Sequence, residues 1–201
     1  MISLIKKDFQ LTYKWIFFAA VYGIVMAYVG LAEESGIRQY MMFLVPFFVV
    51  MFPLGKLMNI EDNRDTRDFV KRIPISVPQK VLARTLYILI LIIVSLVCVV
   101  GSMMYKGLYT YTPESIVLGV TIVLGFLLYF LFQLTLFYFF SYHIAQMSVM
   151  FVLFGGMVLT FITGKFGVNI SVPSFSTGAF ALILFPTNVI MYIAACRGMG
   201  K

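Results

Sequence analysis

The sequence predicts an all-α membrane protein that crosses the bilayer six times. Of its 201 residues, 62% are hydrophobic and 11% are charged, and the mean hydropathy is +1.00, which is typical of membrane proteins and not of soluble domains. The intervals without charge also match the ~20 apolar residues that a helix needs to cross a hydrocarbon core of about 30 Å. The basic residues, finally, cluster in loops that fall on one side of such a topology.

The spans are located by the charge-free intervals. Residues 15–32, 39–55 and 85–105 each hold one span, and the stretch from Ser115 to Gly164 is long enough for two spans joined by a turn at Ser141–Gln146. A last span follows a loop at 164–176, whose glycines and proline around apolar residues suggest a segment that dips back into the outer leaflet. The predicted spans are Trp15–Ala32, Tyr40–Met58, Thr85–Met104, Ile116–Phe140, Met147–Thr163 and Thr177–Cys196.

Residues 1–14 are predicted to form an amphipathic helix in the membrane interface. Its apolar residues recur at helical spacing, and Lys6, Lys7 and Asp8 lie on the opposite side. The apolar residues of this pattern are Ile2, Ile5, Phe9, Tyr13 and Ile16.

Three spans carry features that bear on packing. The first has a stripe of small residues, Ala20, Gly23, Ala27 and Gly30, which packs either within one subunit or between two copies. The second contains Pro46 and Pro53, which bend a helix either as a hinge or as a simple packing kink. The fourth is rich in aromatic residues, most of which are expected to face lipid or the membrane interface and not to form a substrate-binding site. These aromatic residues are Phe126, Tyr129, Phe130, Phe132, Phe137, Tyr138, Phe139, Phe140 and Tyr142.

The orientation follows from the basic residues, which stay cytoplasmic. With both termini inside, twelve of the fifteen Lys and Arg residues are cytoplasmic, and only Arg38, Lys106 and Lys165 lie outside. The net charge of +7 is thus explained by topology and by contact with anionic lipid headgroups. Nucleic acid is not an expected partner, because no basic run is interleaved with aromatic residues.

The charged segment 59–84, with Lys56 just before it, is expected to be a water-exposed platform. From Lys56 to Arg84 it holds seven basic and four acidic residues. Phe69, Val70 and Ile73 fall at helical spacing and predict a short amphipathic helix that Pro74 ends. Residues 76–79 fit a Ser-x-x-Gln capping box with proline in the first turn, so a second helix begins at this proline corner.

Catalytic chemistry has little support in the sequence. Residues 33–38 match the E-E-x-x-x-R motif and residues 139–143 the F-x-x-x-H motif of CAAX-type intramembrane proteases, but His143 is the only histidine and the second histidine motif is absent. The predicted topology also separates Glu33 and His143 by the whole bilayer. No P-loop occurs, so ATP would have to bind to another chain. Cys98 and Cys196 lie within predicted spans, without the spacing of a metal site or a disulfide framework.

The predicted topology, and above all the charged helix followed by the Pro-x-Ser corner at residues 72–76, resembles the small permease subunits of the ABC-2 type. Members serve bacterial exporters of peptides and antibiotics, including exporters of phenol-soluble modulins. The resemblance covers essentially the whole chain and implies a single transmembrane domain, 1–201, of the type V exporter kind in the bacterial inner membrane. It further implies export of a hydrophobic or amphipathic substrate such as a peptide, a separate ATPase chain that binds ATP, and a dimer with a second permease copy.

The resemblance also implies a site, because the segment from Glu61 to Ser76 would be the coupling helix that enters a cleft of the ATPase. The alternative is that its apolar strip lies on the membrane surface or against the N-terminal helix. A non-transporting accessory or immunity protein with the same topology is the alternative function. The predicted ATPase-contact residues are Asp65, Arg67, Asp68, Phe69, Val70, Arg72, Ile73, Pro74, Ile75 and Ser76.

Overall fold

The structure, a computed structural model, describes residues 2–30, 35–105, 113–151 and 177–200, and every regular element within these ranges is a helix. The predicted all-α class is therefore confirmed for this part of the chain. In chain order the helices are α1 (Ile2–Gly30), α2 (Ser35–Asp62), α3 (Arg64–Arg72), α4 (Val77–Tyr105), α5 (Pro113–Phe139), α6 (142–151) and α7 (Thr177–Met199).

Five of the described helices are long and apolar enough to cross a membrane. The qualifying segments are Ile2–Met26, Leu44–Asp62, Val77–Tyr105, Ile116–Phe139 and Gly178–Met199. They correspond to the first, second, third, fourth and sixth predicted spans. The predicted fifth span begins in α6, but its residues 152–163 and the predicted re-entrant loop at 164–176 lie outside the described residues. The sixth crossing therefore stays a prediction.

Helix α1 differs from its prediction in two ways. The expected boundary at residue 15 is absent, because α1 is one continuous helix of 29 residues. The face that packs into the bundle is also shifted from the predicted one: Leu4, Asp8 and Thr12 are buried, whereas Ile2 and Tyr13 are exposed. Phe9 and Ile16 of the predicted face are partly buried against the main core. The inward face is chosen by polar partners on α4, which a pattern of apolar residues within α1 cannot reveal.

The turn between α5 and α6 is shorter than expected. Only residues 140 and 141 leave the helical conformation, and α6 begins at 142. The Ala145 N–H already donates to the Ser141 carbonyl at 3.2 Å, as in a regular helical turn. The polar residues that suggested a loop at 142–146 instead occupy the first turns of α6, so the predicted turn is wrong at these positions.

Helices α1 and α2 pack antiparallel through a close approach at Gly23. A Cβ atom at this position would lie 2.9 Å from a methyl of Val49 and 3.5 Å from a methyl of Val45. Ala19 on the same helix is fully buried. At Gly23 the stripe of small residues therefore packs within the chain, because only a residue without a side chain lets the two backbones approach this closely.

The aromatic residues of α5 divide between the core and the surface of the chain. Phe130 and Phe137 are buried in the main core, which corrects the expectation that they face lipid. Phe132, Phe139 and Phe140 are exposed. Because α5 packs along α7 and also contacts α2 and α4, one face of this uniformly apolar helix turns inward, and the sequence does not mark which one.

One end of the bundle collects the polar residues, and we call it the charged end. Helices α1, α4 and α6 begin there, α2, α5 and α7 end there, and α3 lies beside them. Contacts that define it join Arg84 of α4 to Asp8 of α1 and to Glu61 of α2. At the same end, Gly198 of α7 packs closely on Phe139 of α5.

Candidate functional site

The short helix α3 lies where the sequence predicts it, between α2 and α4. Asn63 caps its N-terminus, with its side-chain oxygen accepting the Asp65 N–H at 3.2 Å, and the backbone leaves the helix at Ile73 with ψ 128°. Pro74 then prevents any further helical turn. Asp65 and Arg72 are exposed, whereas the side chains of Arg67 and Asp68 lie outside the described part.

The predicted apolar strip of α3 is not exposed as a unit. Phe69 is 63% exposed, but Val70 is only 8% exposed because it packs inward. Ile73 is half-buried. Phe69 is therefore the one large apolar side chain that the described part of α3 presents to its surroundings.

The proline corner connects α3 to α4 through two short hydrogen bonds. The Ile75 N–H donates to the Ile73 carbonyl at 2.7 Å, and the Lys80 N–H donates to the Ser76 carbonyl at 3.1 Å as the first bond of α4. Pro74 and Ser76 are exposed, and Ile75 is half-buried. The corner is thus a compact turn with Ser76 at the N-cap position of α4, where the capping-box pattern places it.

A lysine of α4 ties the far side of α3 to the bundle. The Lys80 ammonium donates to the Val70 carbonyl at 2.8 Å, and Lys80 itself is buried. This bond satisfies one of the last carbonyls of α3, which lack partners within the helix. Lysine is stabilising there because its positive charge faces the negative end of the helix dipole.

A buried cluster of charges joins α1, α2 and α4 just behind α3. The Arg84 guanidinium donates two bonds to Glu61, Nη1 to Oε2 at 3.1 Å and Nη2 to Oε1 at 2.7 Å, and its Nε donates to Asp8 Oδ2 at 3.0 Å. Lys7 adds a second cation, with its ammonium 3.7 Å from Glu61 Oε1 and 4.0 Å from Asp8 Oδ1. Two carboxylates and two cations thus form a neutral group, which we call the Arg84 cluster.

Polar contacts continue from the Arg84 cluster along α1 and α4. The Thr12 hydroxyl donates to the Asp8 carbonyl at 2.6 Å, and the hydroxyls of Thr12 and Tyr87 are 2.7 Å apart. Phe9 packs edge-on against the Tyr87 ring. The first three turns of α1 are therefore held to α4 by paired polar groups as well as by apolar packing.

Two further bonds bring α6 and α7 to the same end. The Tyr142 N–H, in the first turn of α6, donates to Asp62 Oδ1 at 3.4 Å, so the last residue of α2 places a carboxylate at the N-terminus of α6. Burial, and then the nearby Asp62 carboxylate, raise the pKa of Tyr142. On the other side, the Tyr192 hydroxyl of α7 donates to the Pro78 carbonyl of α4 at 2.9 Å.

Sequence reasoning placed four charged residues of the charged end wrongly. Glu61, Lys80 and Arg84 were expected on an exposed platform and Asp8 on the wet side of an interfacial helix, yet all four are buried. A usable signal existed, because Asp8 and Thr12 stand four apart and mark a polar stripe on one face of α1. Nothing in the sequence, however, shows that this stripe meets the arginine at the start of α4.

The residues of the protease motifs are not brought together in the described part of the chain. His143 is exposed in the first turn of α6 at the charged end. Glu33 and Glu34 lie outside the described residues.

The described helices define the class of protein: a multi-pass helical membrane protein with a short charged helix fixed to one end of its bundle. Residues 3–197 match the family model described as ABC-2 family transporter protein, and the chain belongs to this family. The chain is therefore the membrane component of an ABC transporter, a transport protein whose family implies an ABC ATPase partner. No curated protein and no solved structure matches the chain significantly.

Proposed function

We propose that this chain is the permease subunit of an ATP-driven exporter and that α3, with the corner at 73–76, is its contact with the ATPase. The observation that carries the proposal is the setting of Phe69. Phe69 is 63% exposed on a helix whose other residues are mostly charged, and exposed aromatic side chains are enriched where one protein surface contacts another. The charged end is cytoplasmic in the proposed orientation, because the basic residues concentrate there.

The contacts behind α3 support a mechanical role. Glu61 lies three residues before α3 and is bound by Arg84. Lys80 lies eight residues after α3 and donates to the Val70 carbonyl of α3. A push on α3 is therefore transmitted to α1, α2 and α4 together, since the Arg84 cluster connects these three helices. Movement of packed helices as a rigid group is one common form of switching transition.

The substrate we propose is hydrophobic or amphipathic, with peptides as one example, and the working unit is a dimer of permeases with two ATPase chains. The support is the family and the sequence, in which residues 15–32, 39–55, 85–105 and 115–164 hold no Asp or Glu of the kind that proton-coupled transport needs. Anionic lipid headgroups are the proposed surroundings of the exposed basic residues.

The expected strength of the ATPase contact is set by Phe69. A phenylalanine buries roughly 200 Å² when fully covered; with 63% of Phe69 exposed, docking covers about 130 Å². At about 25 cal/mol per Å² this contributes about 3 kcal/mol, or roughly a hundredfold in affinity. Val70 adds little, because it is already buried within the chain.

The test is co-purification of the ATPase from native membranes with tagged variants at equal expression. Phe69→Ala is expected to lose most of the ATPase, whereas Phe17→Ala, which removes another exposed phenylalanine in the middle of α1, retains it. Equal recovery with both variants contradicts the contact. Recovery of no ATPase with the wild-type chain also contradicts it.

A charge at the corner gives a second measurement on the same proposal. Ile75→Asp is expected to leave the helices inserted but to uncouple ATP hydrolysis from transport in reconstituted vesicles, because a carboxylate replaces a half-buried apolar side chain beside α3. Asp65→Lys is the matched control on the exposed side of α3, where a single charge contributes about 0–1 kcal/mol.

A further inference from the structure

A cavity of about 570 Å³ opens at the charged end, between α3, α4, α5 and α7. It is within the roughly 300–1,000 Å³ that small-molecule sites occupy, so it is large enough for a bulky side chain. The apolar part of its wall comes from Val70, Val77, Phe137, Phe139, Phe140 and Met199.

The two charged residues in the wall are already paired within the chain. Glu61 accepts two hydrogen bonds from Arg84, and Lys80 donates to the Val70 carbonyl. The surface that is left for an occupant is therefore mainly apolar and aromatic. Such a surface is suited to an apolar group and offers no free charge to an ionic one.

The apolar wall is built from the ends of helices. Val77 is the first residue of α4, Phe139 is the last residue of α5, and Met199 is the last residue of α7. Phe140 lies in the turn that follows α5. The cavity is therefore at the end face of the bundle, whereas the acyl chains of a bilayer lie along its sides. In the proposed orientation this face is turned towards the cytoplasm, where an ATPase finds ATP.

Helix α3 connects the cavity to the proposed ATPase contact. Val70 of α3 lines the cavity, and its neighbour Phe69 is the exposed residue of that contact. A protein surface that covers Phe69 therefore lies next to the cavity.

The area of the contact also requires more than Phe69. Docking on Phe69 alone covers about 130 Å². A stable interface between two proteins buries about 800 Å² on each partner. The ATPase must therefore cover more of the charged end, and the cavity is the concave apolar surface beside Phe69. In protein interfaces such pockets are filled by large apolar side chains, which contribute much of the affinity.

We propose that this cavity receives a large apolar side chain, aromatic or aliphatic, that projects from the ATPase. The inference rests on the proposed pairing of the charged end with an ATPase and adds a second contact to it. The ATPase then contacts α3 on two sides, through Phe69 and through the cavity that Val70 lines.

The experiment is photocrosslinking of the full chain in native membranes. Benzoylphenylalanine, a photoreactive analogue of phenylalanine, replaces in turn Phe140 of the cavity wall, Phe69, and Phe17 in the middle of α1. At Phe140 we expect an adduct with a protein whose peptides contain the P-loop pattern G-x-x-x-x-G-K-[ST]. Phe17, which is 72% exposed, is the control and is expected to give lipid adducts only.

The pattern of adducts separates the cavity contact from the proposed function. An ATPase adduct at Phe69 with only lipid at Phe140 overturns the cavity contact and leaves the proposed function standing. An adduct at Phe140 without one at Phe69 supports the cavity contact and contradicts the docking role of Phe69. Absence of the ATPase from both positions contradicts both proposals.

Filling the cavity from within the chain is the second measurement. Val77→Trp places a large side chain in the wall and is expected to lower recovery of the P-loop protein about tenfold, because the site is then occupied. Leu82→Trp is the matched control, since Leu82 is an exposed residue of the same helix that does not line the cavity. Thermal unfolding checks that both variants are folded. Equal recovery with the two folded variants overturns the proposal, and if Val77→Trp does not fold, the adduct at Phe140 decides.

Discussion

Replacing Arg84 with methionine tests the Arg84 cluster most directly. Arg84 is 5% exposed and holds Asp8 and Glu61, which are both 3% exposed. Its removal leaves two buried carboxylates with only Lys7 beside them, and breaking a buried ion pair in this way costs about 3–5 kcal/mol. For a chain of this size 1 kcal/mol moves the melting temperature by roughly 2–4 °C, so we expect a fall of roughly 6–20 °C.

The assay is thermal unfolding of the purified chain in detergent. Arg72→Met, which removes an exposed arginine of α3, is the matched control and is expected to shift the midpoint by less than about 2 °C. Adding Asp8→Asn and Glu61→Gln to Arg84→Met removes the uncompensated charges and is expected to restore much of the loss. If Arg84→Met and Arg72→Met have the same unfolding midpoint, the Arg84 cluster does not hold the helices together.

The remaining predictions concern packing, orientation and catalysis. Gly23→Ala is expected to cost about 1–3 kcal/mol because its Cβ meets a methyl of α2 at 2.9 Å, whereas Gly55→Ala, with nothing within 4 Å, is neutral or stabilising; thermal unfolding compares the two. In intact cells, a cysteine at Arg72 is expected to resist an impermeant thiol reagent and one at Tyr105, at the other end of α4, to react; the reverse pattern inverts the proposed orientation. His143→Ala is expected to leave transport within a few-fold of wild type, and a normally expressed but inactive variant revives the protease hypothesis.

Local signals in the sequence were sufficient for the elements near α3. Pro74 ends one helix and Ser76 precedes the next, and both effects act within a few residues of chain, so the corner is where the pattern predicts it. The first four predicted spans and the sixth also match described helices, because the length and hydropathy of an apolar stretch are enough to identify a span.

Long-range pairing accounts for what the sequence did not reveal. The burial of Asp8 depends on Arg84, which follows 76 residues later, and neither residue alone carries a sign of the other. Phe130 and Phe137 belong to a helix that is apolar all round, so hydropathy cannot tell which face turns inward. Val70 is buried although its neighbour Phe69 is exposed, because Lys80 ties the end of α3 to α4.

The Arg84 cluster also has a consequence for the order in which the chain assembles during synthesis. At about 5–20 residues per second, the ribosome makes Arg84 about 4–15 s after Asp8, given the 76 residues between them. During that interval Asp8 lacks its main counter-ion, so α1 and α2 cannot settle into their final pairing until the start of α4 arrives. The N-terminal helix is the first to be made, but its first turns are locked in place only after the start of α4 has been made.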